Sequence, residues 1–359
     1  MARVYVNGKF LSQKMSGVQR YASELLRHYY ALDKDVALVS PAERRSGDDF
    51  QLPIPVMTTG SKAGLWWEQA QLPWFLSGKG RPLLLNLCNM APVMYRNKIT
   101  CIHDIAFLRY PQFFSTAFRT YYKAIIPAII KSSKHIITVS EFSRSELMDY
   151  YKLRPERVSV IPNAGFRSGQ GQEGAEQELP LPVRRPYFLF VGSVDPRKNL
   201  LFLLRAYEAA QLKETDLVVA GGGYASFNDA LLKDIHLYHQ HPNIHFIGHV
   251  PDALLTQYYN YARAVIVPSF YEGFGLPVAE GLSAHCEVLA SDIPIFREVA
   301  GAHAFYFDPF KPDALITLMR ERDGTSRPDG EDGYSFIHRR YSWEKSANAL
   351  GDCISAFRD

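Results

Sequence analysis

The chain has 359 residues, 47% of them apolar and 21% charged, with a formal net charge of +3. That length suits about two domains of roughly 150 residues, each able to bury its own core, in a soluble globular protein. So small a charge excess argues against a nucleic-acid partner.

A strand is read at 3–7, then a loop, then Ser16-Gly17-Val18-Gln19, where Ser16 and Gln19 have capping-box spacing. Val18, Tyr21, Leu25, Leu26 and Tyr29 follow at helical intervals. Further strand-like runs fall at 36–40, 83–87, 99–102 and 136–139, with helical patterns between several of them. Asp33-Lys34-Asp35 reads as a turn between a helix and a strand rather than a metal-nucleotide motif. Residues 165–186, polar and punctuated by Pro180, Pro182 and Pro186, read as a linker or surface loop.

The second half opens with a strand at 187–191, and the pattern recurs at 217–220, 244–247, 264–267, 288–290 and 304–307. Asp195-Pro196 resembles an N-cap with proline at the first helical position, and Leu200, Leu203, Leu204 and Tyr207 supply a buried helix face. Alternation of this kind predicts two doubly wound, Rossmann-like α/β domains, 1–164 and 187–341, facing a cleft. A helix within 342–359 closes the chain and is expected to pack back on the first domain.

The four cysteines lack a C-x-x-C pair; Cys88 and Cys101 lie in apolar runs and read as buried thiols of a reducing compartment. The start shows no signal-type stretch, and the apolar passage 121–130 is broken by Lys123 and Pro127. A cytoplasmic protein, peripheral at most on the inner membrane face, is expected.

The most informative residues are Glu272 and Glu280, flanking a glycine-rich strand-to-helix turn that holds Gly273, Gly275 and Pro277. Open α/β sheets bind ligands at such turns, where glycines permit close backbone approach and helix-start amides favour an anion. The spacing fits a nucleotide-sugar site. Arg197 and Lys198, just after Gly192 and Ser193, form a second strand-to-helix turn suited to clamping a diphosphate. Gly17 opens a helix after the first strand and is a third anion candidate; His103 follows the strand 99–102, with Asp104 placed to orient it. The histidines at 236, 239, 241, 245 and 249 have no metal-ligand spacing and read as a helix end with an adjoining strand, and residues 221–226 lack a complete dinucleotide fingerprint. The stretch 105–140 holds Arg109, Arg119, Lys123, Lys131 and Lys134 among aromatics and no carboxylate, which suits either an anionic membrane surface or a solvated basic helix. Trp66, Trp67 and Trp74 fit either an acceptor surface or the core.

These blocks, with Ile137-Thr138-Val139-Ser140-Glu141, Ile161-Pro162-Asn163 and Ser291-Asp292-Ile293-Pro294, resemble the retaining glycosyltransferases of family 4, which have the GT-B fold. The resemblance covers most of the chain. It implies transfer from a nucleoside-diphosphate sugar to a lipid-linked saccharide, with retention and without a bound metal or cofactor. It places Glu272 near the sugar and leaving group, Glu280 on the ribose, and His103 near the transferred sugar. It also assigns the diphosphate to Arg197, Lys198 and Gly17, and sugar hydroxyls to the backbone of Phe274, Gly275 and Leu276. A mannose-like sugar on guanosine diphosphate, in surface-polysaccharide or O-antigen synthesis, is the donor and pathway it suggests. The chain departs from the family at Ala284-His285-Cys286-Glu287-Val288, where a glycine and a proline are usual, and at Ala164. A nucleotide-sugar epimerase of the same plan and a catalytically silent sugar-binding protein are the alternatives.

Overall fold

All four residues of the first strand, β1 (Val4–Asn7), are buried. Continuous burial without alternation belongs to a parallel sheet covered on both faces, and that is the environment here. The computed structural model describes residues 4–43, 52–166, 185–221 and 229–357; most of the expected linker and residues 222–226 of the glycine run lie outside them. The chain divides into two compact units, Met1–Asn163 with Trp343–Asp359, and Ala164–Ser342.

In the first unit β1 pairs in parallel with β2 (Val36–Ser40) and β4 (Leu83–Asn86), Val4 lying opposite Val36 and Leu83. With β3 (Val56–Thr58), β5 (Lys98–Cys101), β6 (His135–Thr138) and β7 (Val158–Val160) they form a seven-stranded parallel sheet of order β3-β2-β1-β4-β5-β6-β7. Its helices are α1 (Gly17–Leu32), α2 (Leu72–Ser77), α3 (Ala106–Arg109), α4 (Thr116–Ser132) and α5 (Glu141–Tyr151).

The second unit repeats the plan with six parallel strands: β8 (Tyr187–Val191), β9 (Asp216–Ala220), β10 (Ile244–Gly248), β11 (Ala264–Val267), β12 (Glu287–Ser291) and β13 (Phe305–Phe307), in the order β10-β9-β8-β11-β12-β13. Its helices are α6 (Leu200–Ala210), α7 (Asp229–Leu237), α8 (Asp252–Tyr261), α9 (Leu276–Ser283), α10 (Pro294–Ala300), α11 (Pro312–Arg320) and α12 (Glu331–Arg340). Leu203, Leu204 and Tyr207 of α6 enter the core with Phe188, Leu217, Leu289 and Met319, each large side chain contributing about 1.5–3 kcal/mol by burial. In both sheets the order reverses direction at a central pair, β1/β4 and β8/β11, where doubly wound folds open a crevice beyond the strand ends.

The last helix, α13 (Trp343–Ser355), belongs to the first unit and packs on α1. Its Trp343 lies 6.2 Å from the Tyr21 ring and stacks on His28, and Ser346 Oγ donates to the Pro162 carbonyl at 2.8 Å.

Three local expectations change. β3 and β7 form the edges of the first sheet; at three residues each they are too short for a periodic signal. Ser16 is the N-cap of α1, but its hydroxyl meets the Gln19 side chain rather than a backbone amide, so no capping box forms. The helix expected from Pro196 is two pieces: a 3-10 turn (Pro196–Lys198), then a break at Asn199 in the left-handed region (φ 57°), then α6. Among the described residues no helix is long and apolar enough to cross a membrane.

Candidate active site

In the second unit the candidate residues gather at the carboxyl ends of β8 and β11, the central pair of its sheet. The turn after β8 is built on Asp195, whose Oδ1 accepts the Arg197 amide at 2.9 Å. The same carboxylate holds the Arg197 guanidinium, with Nη2 to Oδ2 at 2.6 Å. The Lys198 amide is bonded to the Asp195 carbonyl at 2.8 Å. Of the amides beside the two cations, those of Arg197 and Lys198 are taken up by Asp195. Gly192 donates its amide to Ala220, and its carbonyl lies so close to Gly221 (φ 126°) that a Cβ there would collide with it. Ser193 is exposed.

The turn after β11 meets the first directly. Phe270 donates its amide to the Arg197 carbonyl at 2.8 Å. Lys198 Nζ forms an ion pair with Glu272 Oε1, which also accepts from Ser269 Oγ at 2.9 Å. Both charged side chains are largely shielded from solvent, so removing one partner would leave the other charge uncompensated. Gly275 (φ 93°) caps α9, with Leu276 and Pro277 opening the helix and Phe274 buried against Tyr341. A Cβ on Gly275 would sit 2.6 Å from the Phe296 ring. Only glycine fits there.

Glu280 is the fifth residue of α9, beyond the first turn, so favourable interaction with the helix dipole does not explain it. It is 3% exposed, and its Oε2 accepts from the Tyr259 hydroxyl at 2.9 Å. The buried tyrosine thus holds the buried carboxyl in one orientation. The turn that departs from the family packs on α12: His285, at φ 54°, stacks on Tyr334 at 4.0 Å between ring centres, and Arg327 donates to the Ala284 carbonyl.

In the first unit His103 follows β5 and is 5% exposed. Its Nε2 lies 2.9 Å from the Leu87 carbonyl, which can only accept, so Nε2 carries the proton and the neutral ring keeps Nδ1 as an acceptor. Burial holds its pKa below the usual histidine value. Asp104 does not orient it: Asp104 Oδ1 accepts the Ala106 amide at 2.9 Å and starts α3, while Leu87 and the edge of Tyr21 fix the ring. Gly17 is exposed at the start of α1.

Sequence reasoning missed a polar pocket of about 180 Å³ at the β1/β4 end of this unit, lined by Lys9, Gln13, Gln19, Glu68, Cys88 and Asn89 among others. Buried Glu68 accepts from Asn7 Nδ2 at 2.9 Å and from Lys9 Nζ at 2.8 Å, and the same Asn7 amide reaches Asn86 at 3.0 Å. The available signal was Asn7 and Asn86 ending two apolar strands, where polar residues cost burial unless they are partnered.

Cys101 is buried, but Cys88 is only half-buried; all four cysteines are free. Among the described residues one group offers cation ligands, His285, Asp329 and Glu331, with atoms within 4.8 Å of one another. The 236–249 histidines do not join it. His245 instead meets Asp216 at 3.0 Å.

Two parallel α/β units, each with polar residues collected at the switch point of its sheet, form the doubly wound architecture that places ligands beyond its strand ends. Residues 15–164 match the family described as Glycosyltransferase Family 4, and residues 172–321 match Glycosyl transferases group 1. The chain belongs to the glycosyltransferases of this type, with the GT-B fold. It is 28% identical over 277 residues to O-antigen chain mannosyltransferase B of Escherichia coli, spanning 74% of this chain and 71% of that protein. It is 26% identical to O-antigen chain mannosyltransferase RfbU of Salmonella typhimurium, spanning 73% and 70%. Among solved structures, sucrose-phosphate synthase from Thermosynechococcus elongatus superimposes with a TM-score of 0.75 at 18% identity, covering 98% of each chain.

Proposed function

We propose that the protein transfers a hexose, mannose-like and carried on guanosine diphosphate, to a lipid-linked glycan during O-antigen or related surface-polysaccharide synthesis, with retention and without a resident metal. The observation that carries the reading is the Lys198–Glu272 pair, drawn from the two turns at the switch point of the second sheet. The mannosyltransferase relatives support the sugar and the pathway.

In this reaction the bond from the anomeric carbon to the diphosphate oxygen breaks, and the diphosphate departs with the electron pair. The acceptor hydroxyl oxygen bonds that carbon on the same face and yields its proton to the departing phosphate. Lys198 stabilises the growing negative charge, with Arg197 as a second cation once the diphosphate competes with Asp195 for it. Glu272, released from Lys198, faces the sugar hydroxyls and the positive charge building at the anomeric carbon. Glu280, held by Tyr259, takes the ribose. The Glu68–Lys9 pocket of the first unit serves the acceptor saccharide. Enclosure of the reacting groups limits donor hydrolysis.

The test is a thermal-shift panel of nucleoside diphosphates and their sugars with chelator present, since ligand binding raises apparent stability. Selective stabilisation by guanosine diphosphate and its mannose conjugate is the expected result. Stabilisation by a different base would replace the donor, and a response to none of them would favour the silent-binder alternative. Turnover of donor without acceptor would favour the epimerase.

A further inference from the structure

Trp66 and Trp74 are 73% and 79% exposed, although tryptophan is among the side chains that gain most from burial. Two such residues need a partner. They flank a π-helical segment, Trp67–Gln71, that runs directly into α2. In an α-helix eight residues would leave them about 80° apart around the axis, at about 100° per residue. Across the π segment each residue turns only about 82°, which brings the two rings back onto one face, two turns apart. The opposite face is spent inside: Trp67 donates to the Thr59 carbonyl at 2.7 Å, and Leu72 and Leu76 join the core.

The patch extends beyond the helix. Gln69 bridges to the neighbouring loop through the Ala91 carbonyl at 3.0 Å and the Val93 amide at 2.9 Å, bringing up Met94, which is 84% exposed. Leu65 is 51% exposed at the helix start. Exposed Lys62 precedes it, exposed Arg96 follows Met94, and Lys79 and exposed Arg81 stand at the end of α2. Across residues 60–98 the one carboxylate is Glu68, buried and bonded to Lys9 and Asn7. Exposed Glu43 stands at the Lys62 end, its Oε2 accepting the Ala63 amide at 3.2 Å, but the surrounding cations outnumber it. An apolar face carrying tryptophans, with an excess of cations around it among the described residues, matches an anionic bilayer surface. Indole rings settle at headgroup depth while lysine and arginine reach the lipid phosphates.

We propose that this face, centred on Trp66 and Trp74, docks the first unit on anionic membrane. The 105–140 stretch offers less. Its Phe114, Phe118 and Tyr122 stack on one another and pack against the core, and its Arg109 pairs with Glu146 at 2.6 Å. Its exposed side carries Tyr121, Ala117, Ala124 and Pro127 with Lys123, Lys131 and Lys134, cations with one large apolar ring to insert.

The test is vesicle co-sedimentation of the full chain without substrate, so its outcome does not depend on the donor or acceptor assignment. The vesicles are phosphatidylcholine alone or mixed with phosphatidylglycerol. Wild type should partition onto the mixed vesicles, release in high salt, and show a blue-shifted emission, because Trp67 and Trp343 are already buried and only the exposed pair changes environment. The double variant Trp66→Ser/Trp74→Ser should keep its thermal midpoint and lose at least about tenfold in partition. Lys62→Gln/Arg81→Gln/Arg96→Gln should keep both rings and lose the preference for anionic vesicles. Three results would overturn the proposal: equal partition of the serine variant and wild type, indifference of wild type to vesicle charge, or a self-associated wild type that the serine substitutions render monomeric. The last would assign the face to a second copy.

Discussion

Gly275→Ala tests how the glycine-rich turn is built. The residue sits at φ 93°, a conformation that costs a residue with a Cβ about 1–2 kcal/mol. Its added methyl would lie 2.6 and 2.9 Å from two carbons of the Phe296 ring. That ring is fully buried and has no open space to enter, so relief must come from backbone shift or an off-rotamer ring, at about 1–3 kcal/mol. Together the substitution should destabilise the second unit by roughly 2–5 kcal/mol. Because Gly275 caps the helix that carries Glu280, affinity for the nucleoside diphosphate should fall in the protein that remains folded. Urea unfolding gives the first quantity and calorimetric titration the second. A loss below about 0.5 kcal/mol, within the range of ordinary surface substitutions, would refute the reasoning.

Three further perturbations follow from the same geometry. Tyr259→Phe removes the hydroxyl that bonds the buried Glu280 carboxyl; stability should fall by about 1–3 kcal/mol and nucleotide affinity several-fold, and a variant that unfolds and binds like wild type would remove Tyr259 as the positioning group. Lys198→Ala should lower turnover by about 10²–10³-fold, the usual scale for removing one electrostatic contact to a leaving group; combined with Glu272→Gln in a double-mutant cycle, it should show strong coupling, and additive effects would mean the ion pair is incidental. His135 is buried beside Arg157, and burial first, then that cation, lowers its pKa from 6.5 to about 4. The unfolded chain thus binds the proton first, so His135 leaves stability intact above pH 6.5 and withdraws up to about 3 kcal/mol as pH falls through 4. Urea midpoints of wild type and His135→Gln should converge over that interval, and parallel profiles would contradict the assignment.

Much of the fold was legible because strand runs in a parallel sheet are apolar throughout. The runs at 36–40, 187–191 and 264–267 coincide with β2, β8 and β11. The Pro277 and Gly275 signals also located the start of α9, since both residues act on backbone conformation within a few positions of themselves. The failures had two origins: β3 and β7 are too short to repeat, and the break falls at Asn199, whose side chain bonds the Pro309 carbonyl, 110 positions away.

The candidate site divides in the same way. Residue types and strand-to-helix spacing by themselves determined that Glu272, Glu280, Arg197 and Lys198 stand near sheet ends. Which charge meets which was decided by tertiary structure. Strand order sets β8 beside β11 and so joins Lys198 to Glu272, while Arg197 is claimed by its own neighbour Asp195. The same holds for the Glu68–Lys9 pocket, and for three tryptophans of which one is core and two are surface. Periodicity reports how a segment presents its faces. It carries no information about what lies opposite, because partners are chosen by the order in which distant strands and helices pack.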